Sequence, residues 1–293
     1  LSGRAGQASR TRLPKQIALI RSDPHDSSTE MFARRSITQY AGFAVETVGL
    51  EDVALGKLDG YGAAVLWQTH KPTSLGKSAL LAIRSFVEKG GTLLCDLPAI
   101  EVVQGAETAT LLGFRSENLE ARKSVAIVHP KLGHLQLSSP EPSEKRPYSD
   151  LGVWNLKLIK GTEVIKDTSD SPAITIRPLG KGRVITFCFR AVSIGPDPTN
   201  QFYLAKFLQW VLQESNLQPL VDAPWVEKTI IPQDDGGLLI GAWNPLPVFV
   251  HSPLRFPHHQ ASEIQTVYRP IGGAVEARHI VLPARKWLVF GIK

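Results

Sequence analysis

The sequence predicts an α/β domain with a mostly parallel sheet and a β insertion, followed by a small all-β unit. From about residue 16 to 216, short apolar runs alternate with amphipathic segments, which is typical of parallel strands covered on both faces. After residue 225 no helical pattern remains, and short strand-like pieces are separated by turns. The predicted boundaries are a disordered basic tail over 1–15, an α/β domain over 16–216 and a β-sandwich over 225–293.

Four strands and two helices are predicted in the first part of the α/β domain. The strands are QIALI (16–20), FAVETV (43–48), AAVLW (63–67) and TLLC (92–95). Apolar residues at helical spacing predict helices over about 28–41 and 74–89, ended by Gly42 and by Gly90 with Gly91.

The alternation of strand and helix patterns stops between about residues 123 and 178. Prolines cluster there, and segments of alternating polarity such as SVAIVH predict an antiparallel excursion from the main sheet. The chain then returns to the α/β pattern with the strand RVITFCF (183–189) and a helix over about 199–213. That helix has the i, i+3, i+4, i+7, i+8 core pattern at Leu204, Phe207, Leu208, Val211 and Leu212.

The C-terminal unit begins after a proline-punctuated linker over 217–224. WVEKTIIP and LLIGAWNP flank DDGG and predict a hairpin. Its tryptophans, above all Trp225, Trp243 and Trp287, suggest platforms for stacking sugars. Since a small sandwich needs large core residues, packing is the expected role for most of them. An exposed pair would reverse this interpretation.

Composition excludes several classes of function. The net charge is +6 and the pI about 9.3, but the basic residues are scattered and do not alternate with stacking aromatics, so we expect no nucleic-acid partner. No apolar run is long enough for a membrane span. We expect a soluble protein, cytoplasmic or exported after signal removal. The two cysteines lie in apolar runs and are expected to be free, buried thiols. No cofactor and no metal site is predicted.

The order of elements resembles the flavodoxin-like, class I glutamine amidotransferase-like fold. Within that superfamily, DGYGAAVLWQTHKPTSLGKSALLAIRSFVEKGGTLLCD (59–96) is similar to the trimerisation domain of family 42 glycoside hydrolases, the β-galactosidases. Those domains have a helix ending in FVxxGGTL and a GKGRV strand near the end, here at 180–184. They are followed by a small β-sandwich, as predicted here, and the resemblance extends from Lys15 to Lys293.

The resemblance implies that this chain corresponds to the part of such an enzyme that lies after its catalytic barrel. In the family, the two catalytic glutamates lie on an upstream TIM barrel, which this chain does not contain. The implied partners are other copies of the chain, as a trimer or dimer, or a glycoside hydrolase barrel, with carbohydrate as a possible ligand. The chain itself is expected not to be an enzyme, although a longer parent chain would be a glycoside hydrolase.

An amidotransferase site would require a cysteine on a tight elbow, a histidine and an acid. Cys95 lies at the end of a predicted parallel strand, but the family's elbow pattern G-x-C-x-G is replaced here by Leu93-Leu94-Cys95-Asp96-Leu97, without the two glycines. The family's His-x-Glu corresponds to Phe189-Arg190-Ala191. We therefore predict a degenerate nucleophile position and a small core residue, with a Cys95 hydrolase as the disfavoured alternative.

Ligands of open α/β sheets bind beyond the carboxyl ends of the strands. These ends carry polar residues that could form a remnant pocket for a sugar or small anion, or could be solvated loop ends and helix caps; we favour the second interpretation. The leading functional hypothesis is an accessory and oligomerisation module, and the alternative is a carbohydrate- or small-molecule-binding protein or hydrolase that uses this cleft. The candidate ligand-binding residues are Asp23, His25, Gln68, His70, Asp96 and Arg190.

Overall fold

The structure is a computed structural model that describes residues 16–22, 27–67, 75–96, 106–120, 122–130, 133–138, 151, 153–195, 197–233, 235, 237–257, 264–276 and 278–292. It divides into two compact units. The first, here called the α/β unit, comprises Lys15–Ile37 and Val45–Gln218. The second, the β unit, combines Thr38–Ala44 with Pro219–Lys293.

Eleven described strands belong to the α/β unit. They are β1 (Ile17–Arg21), β2 (Val45–Gly49), β3 (Ala63–Leu66), β4 (Thr92–Asp96), β5 (Phe114–Glu120), β6 (Ser124–His129), β7 (Gly133–Ser138), β8 (Val153–Leu158), β9 (Glu163–Lys166), β10 (Pro172–Leu179) and β11 (Gly182–Phe187).

The described helices fall between these strands. They are α1 (Ser27–Arg34), continued by a π-helical segment (Arg35–Tyr40), then α2 (Leu50–Ala54), α3 (Gly76–Glu88), α4 (Ala106–Leu112), a 3-10 helix (Ala191–Ile194) and α5 (Pro198–Gln213).

A seven-stranded sheet forms the centre of the α/β unit, with the strand order β2-β1-β3-β4-β11-β10-β9. The first five strands of that order are mutually parallel, whereas β10 and β9 are antiparallel to their neighbours. All residues of β3 and β4 are buried, as expected for inner strands of a parallel sheet covered on both faces. The mostly parallel α/β architecture predicted from the sequence is thus confirmed.

Apolar periodicity explains the two long helices. Helix α3 buries Ala79, Ile83, Phe86 and Val87 on one face and is followed by Gly90 at a φ of 124°, a conformation that favours glycine. Helix α5 begins at Asp197, whose side chain accepts a hydrogen bond from the backbone N–H of Asn200. The five core positions predicted for α5 are all buried.

The β excursion predicted over about 123–178 is found as two antiparallel pairs outside the main sheet, of which one begins earlier with β5, whereas β9 and β10 join the main sheet. Strand β5 pairs with β8, and β6 pairs with β7. In the second pair, Val125, Ile127, Leu135 and Leu137 are buried, while their neighbours along each strand are exposed or half-buried. This alternation is the pattern of a hairpin with one covered face.

Two antiparallel sheets form the β unit. Their strands are β12 (Glu227–Pro232), β13 (Leu238–Trp243), β14 (Val250–Pro253), β15 (Ile264–Tyr268), β16 (Ala274–Glu276), β17 (His279–Leu282) and β18 (Trp287–Ile292). One sheet has the order β12-β13-β18-β15 and the other β14-β17-β16. Buried residues of both sheets, among them Ile240, Phe290 and Ile280, belong to one hydrophobic core.

The segment Thr38–Ala44 is held inside the β unit by hydrogen bonds. The carbonyl oxygen of Gly42 accepts from the N–H of Leu220 at 2.8 Å. Gly42 has a φ of 85°, and a Cβ atom there would overlap the carbonyl oxygen of Val221, so only glycine fits. The hydroxyl of Tyr40 donates to Oε2 of Glu227 at 2.9 Å.

Lys228 completes this attachment from inside the core. Its Nζ is fully buried and donates to the carbonyl oxygens of Tyr40 at 2.7 Å and of Ala223 and Val226 at 3.0 Å. Three acceptors match the three N–H bonds of a charged ammonium group. Burial nevertheless lowers the pKa of Lys228 to about 7, against the opposing attraction of Asp222 and Glu227.

This lysine is expected to make stability depend on pH. Between the folded pKa of about 7 and the unfolded value near 10.4, the unfolded chain binds more protons, so the free energy of unfolding rises with pH. From pH 7 to 9 we expect the wild type to gain on the order of 2 kcal/mol relative to Lys228→Met, measured by urea unfolding at both pH values. Lys228→Arg, which does not titrate in this range, is the control; parallel pH profiles for the wild type and both variants would contradict the expectation.

Candidate functional site

The polar residues predicted at the strand ends are only partly within the described chain. Asp96 is the last residue of β4, and Arg190 follows β11, the parallel neighbour of β4. The structure brings the segments that carry these two residues together. The other four candidates, Asp23, His25, Gln68 and His70, lie outside the described residues.

Asp96 is engaged with the backbone that follows β11. It is fully buried, and its Oδ2 accepts a hydrogen bond from the N–H of Ala191 at 3.2 Å. Ala191 is the first residue of the 3-10 helix, so the carboxylate satisfies an N–H group at a helix start. The neighbouring N–H of Arg190 donates to the carbonyl oxygen of Leu151 at 2.8 Å. These contacts explain Asp96 as a group that fixes the chain after β11.

Aromatic rings occupy the same end of the sheet. Trp67 directly follows β3 and is buried, with ring centroids 5.9 Å from Phe32 and 6.0 Å from Phe187. Phe187 also stacks on Phe189 at 5.4 Å. The indole Nε1 of Trp67 is buried and has no hydrogen-bond partner among the described residues. The described part of this edge is therefore mainly apolar.

Cys95 lies in the core of the α/β unit and not on an exposed elbow. It is buried beside Val184 and Cys188 in one hydrophobic cluster, and its Sγ lies 3.2 Å from Oγ1 of Thr186. Burial is the main cause that raises the pKa of Cys95 to about 12, and the charge of Asp96 adds to it. A thiol with this pKa stays protonated at neutral pH and is a poor nucleophile.

The second cysteine is in the same state. Cys188 is buried and free, as is Cys95, which confirms the prediction of two buried thiols. Burial also raises the pKa of Cys188. Neither sulfur therefore offers the low-pKa, accessible environment that reactive cysteines require.

The tryptophans of the β unit correct the sequence interpretation. Core packing was the expected role for most of them, yet Trp225, Trp243 and Trp287 are all absent from the core of the β unit. Trp287 is 43% exposed and Trp225 is 40% exposed. The sequence could not separate the two faces of β13, because LLIGAW is apolar at both alternating sets of positions.

Comparison with known proteins finds a similar fold in solved β-galactosidases. The β-galactosidase of Rahnella sp. R3 superimposes with a TM-score of 0.59 over 96% of this chain and 41% of that chain, at 17% sequence identity. The β-galactosidase from Bacillus circulans sp. alkalophilus superimposes with a TM-score of 0.56 over 96% of this chain and 42% of that chain, at 14% sequence identity. A GH42 β-galactosidase from G. stearothermophilus superimposes with a TM-score of 0.57 over 96% of this chain and 40% of that chain, at 13% sequence identity.

The chain shares the fold of these β-galactosidases over nearly its whole length. The resemblance indicated by the sequence is thus confirmed. A curated relative, β-galactosidase BgaA of Planococcus sp. (strain 'SOS Orange'), is 25% identical over 202 residues, which cover 66% of this chain and 28% of that protein. No protein-family profile matches the chain. The chain thus corresponds to less than half of each of these enzymes.

No helix in the described part of the chain is both long and apolar enough to cross a membrane.

The state of Cys95 can be tested by thiol labelling of the single-cysteine variant Cys188→Ala. Because the Cys95 sulfur is buried and protonated, we expect no significant reaction of the native variant with Ellman's reagent at pH 7.5, and complete reaction in guanidinium chloride. The denatured sample provides the control for thiol content. Rapid labelling of the native protein would show an accessible thiolate and would revive the hydrolase alternative.

Proposed function

We propose that this chain is a non-catalytic accessory and oligomerisation region of a β-galactosidase-type glycoside hydrolase. The observation that carries the proposal is the match of 96% of the chain to 41% of the Rahnella enzyme. Both units take part in that match, so the chain corresponds to a contiguous architecture and not to one shared sheet. The curated relative supports the same assignment from sequence.

The finer fold assignment rests on strand order. The parallel strands follow the order β2-β1-β3-β4-β11, which is the 2-1-3-4-5 order of flavodoxin-like sheets when β11 is counted as the fifth strand. This supports a flavodoxin-like, class I amidotransferase-like domain over 16–216. The two sheets with one shared core support a β-sandwich over 225–293.

A degenerate amidotransferase site follows from the surroundings of Cys95. Its neighbours Leu94 and Asp96 are buried with it in β4, and its sulfur contacts a hydroxyl and a backbone carbonyl among the described residues. Nothing in these contacts would remove the thiol proton. This supports a structural role for the cysteine in a fold that carries a nucleophile in its catalytic members.

Catalysis is assigned to another part of the parent enzyme. Glycoside hydrolysis uses two carboxylic acids that flank the scissile bond, and the resemblance assigns them to a barrel outside this chain. In the described part, the strand-end carboxylate of Asp96 is buried against a backbone N–H, where it cannot protonate a glycosidic oxygen. The accessory assignment is consistent with both points.

Oligomerisation is supported by apolar side chains exposed on or beside the helices of the α/β unit. Met31 on α1, Leu55 after α2 and Leu81 on α3 are each at least half exposed. Removing such groups from water on subunit contact would contribute roughly 25 cal/mol per Å² of apolar surface. A trimer or dimer, or contact with a catalytic barrel, would bury them.

Light scattering with size-exclusion chromatography tests the assembly. We expect a dimer or trimer whose mass persists on dilution through the micromolar range, because subunit contact removes the exposed helical side chains from water. Leu81→Lys should lower the average mass, whereas Val128→Lys, at an exposed position on β6 outside the helices, tests whether any added charge has the same effect. A strict monomer at high concentration would contradict the proposal.

An activity assay tests the non-catalytic role separately. The chain alone should not hydrolyse o-nitrophenyl β-galactoside, because the catalytic carboxylates are assigned to a barrel. Enzymatic turnover by the purified chain would overturn this part of the proposal, whatever the oligomeric state.

A further inference from the structure

The outer surface of the four-stranded sheet in the β unit is aromatic. Leu238, Ile240 and Ala242 of β13 point into the core, so the residues between them point outward. The strand register groups the outward residues into rows, which together are called the aromatic face. The rows are Glu227, Trp243 and Trp287; Thr229, Gly241, Val289 and Tyr268; and Ile231, Leu239, Gly291 and Gln265.

Two tryptophans dominate this face. Trp243 and Trp287 are direct cross-strand partners, with ring centroids 5.0 Å apart and planes inclined by 30°. Trp287 is 43% exposed, and Tyr268 in the adjacent row is 55% exposed. The two tryptophan rings therefore pack against each other, and part of the Trp287 ring remains in contact with water.

A glycine allows the Trp287 ring to lie along the sheet. A Cβ atom built on Gly241 would contact Cζ3 of Trp287 at 3.7 Å and Cβ of Thr229 at 3.7 Å. The indole thus extends over a position that has no side chain. A ring supported by backbone beneath it keeps its position without a partner above it, as a stacking platform requires.

A second glycine keeps the neighbouring area open. A Cβ atom built on Gly291 would meet only the carbonyl oxygen of Leu238, at 3.8 Å. Gly291 lies in the strand and the row adjacent to Gly241, so its missing side chain leaves a shallow depression beside the Trp287 ring. Thr229 and Gln265 provide a hydroxyl and an amide at its margin.

This combination matches the chemistry of a hexopyranose. A sugar ring has C–H faces that pack on aromatic rings and hydroxyl groups at its edge that need hydrogen-bond partners. In galactose the axial C4 hydroxyl leaves the C3, C4 and C5 hydrogens together on one face. An aromatic ring bordered by polar side chains can therefore pack against the C–H face of such a sugar and form hydrogen bonds with its hydroxyl groups.

The size of the face favours a small ligand over a second protein chain. With strands about 4.8 Å apart and a rise of about 3.3 Å per residue, the three rows cover on the order of 200 Å². A stable protein interface needs about 800 Å² on each partner. Interface centres are also depleted of charged residues, whereas Glu227 lies in the same row as the tryptophans.

We infer that the aromatic face is a binding site for galactose-containing oligosaccharides, in which a galactosyl ring stacks on Trp287 and Trp243 and its hydroxyl groups bond to Thr229 or Gln265. The choice of galactose rests on the proposed accessory role in a β-galactosidase-type enzyme. The site itself rests on the sheet geometry. It would hold substrate chains near a catalytic barrel without taking part in bond cleavage.

Isothermal titration of the whole chain with β-1,4-galactotetraose tests the site. We expect saturable binding that Trp287→Ala weakens at least roughly tenfold and that Trp287→Phe, which keeps a ring, weakens less. Phe249→Ala is the matched control, because Phe249 is an exposed aromatic residue of the β unit outside the aromatic face. It should bind as the wild type does. Circular dichroism verifies that each variant is folded.

The outcomes separate this site from the proposed accessory role. No binding of galactotetraose by the wild type, or equal loss in Phe249→Ala and Trp287→Ala, would overturn the inference. Equal affinity for cellotetraose would overturn the assignment to galactose. If Trp287→Ala lowers the oligomer mass in light scattering, the face is a subunit contact and the sugar site is wrong. Failure of the proposed accessory role would appear instead as a monomeric mass of the wild type in light scattering, or as hydrolysis of o-nitrophenyl β-galactoside by the wild type.

Discussion

Strand β4 is the constraint on which the α/β unit depends. It lies between β3 and β11, both parallel to it, and every one of its residues is buried. A strand with two paired edges and two covered faces offers no position for an exposed side chain. The thiol of Cys95 is therefore enclosed and protonated, and the carboxylate of Asp96 must find its partner in protein, which it does at the N–H of Ala191. The packing of the strand thus accounts for both the protonated thiol and the buried carboxylate.

The sequence predicted the elements that long periodic patterns define. Helix α3 was expected over 74–89 and is observed at Gly76–Glu88, and α5 was expected over 199–213 and is observed at Pro198–Gln213. The short helix α2 was missed, because its five residues give too little periodicity to distinguish a helix from a loop. The first helix was expected as one α-helix to Ala41, but its second half is π-helical from Arg35 to Tyr40, which hydrophobic spacing does not reveal.

The candidate sites were less predictable than the fold. Of the strand-end residues, the structure describes Asp96 and Arg190. The burial of Asp96 depends on which strands lie beside β4, and the pattern of a single sequence does not reveal the order of strands in a sheet. For the tryptophans of the aromatic face, the sequence suggested sugar stacking but favoured core packing, for a different reason. Both alternating sets of residues in β13 are apolar, so the core-facing set could be identified only from the partner strands. The glycines beneath and beside Trp287 were the signal that could have favoured stacking, because glycine within a strand often marks a close approach of another group.

The attachment of Thr38–Ala44 has a practical meaning for dissecting the protein. A fragment starting at Pro219 would contain all seven strands of the β unit but would lack the Tyr40 carbonyl that accepts from Lys228 and the Gly42 carbonyl that accepts from Leu220. Its buried ammonium group would lose one of three acceptors, and the desolvation cost of that charge would be less well offset. An expression clone that begins at the linker would therefore yield an unstable β unit, whereas a version with Thr38–Ala44 fused to it would restore the missing carbonyl groups.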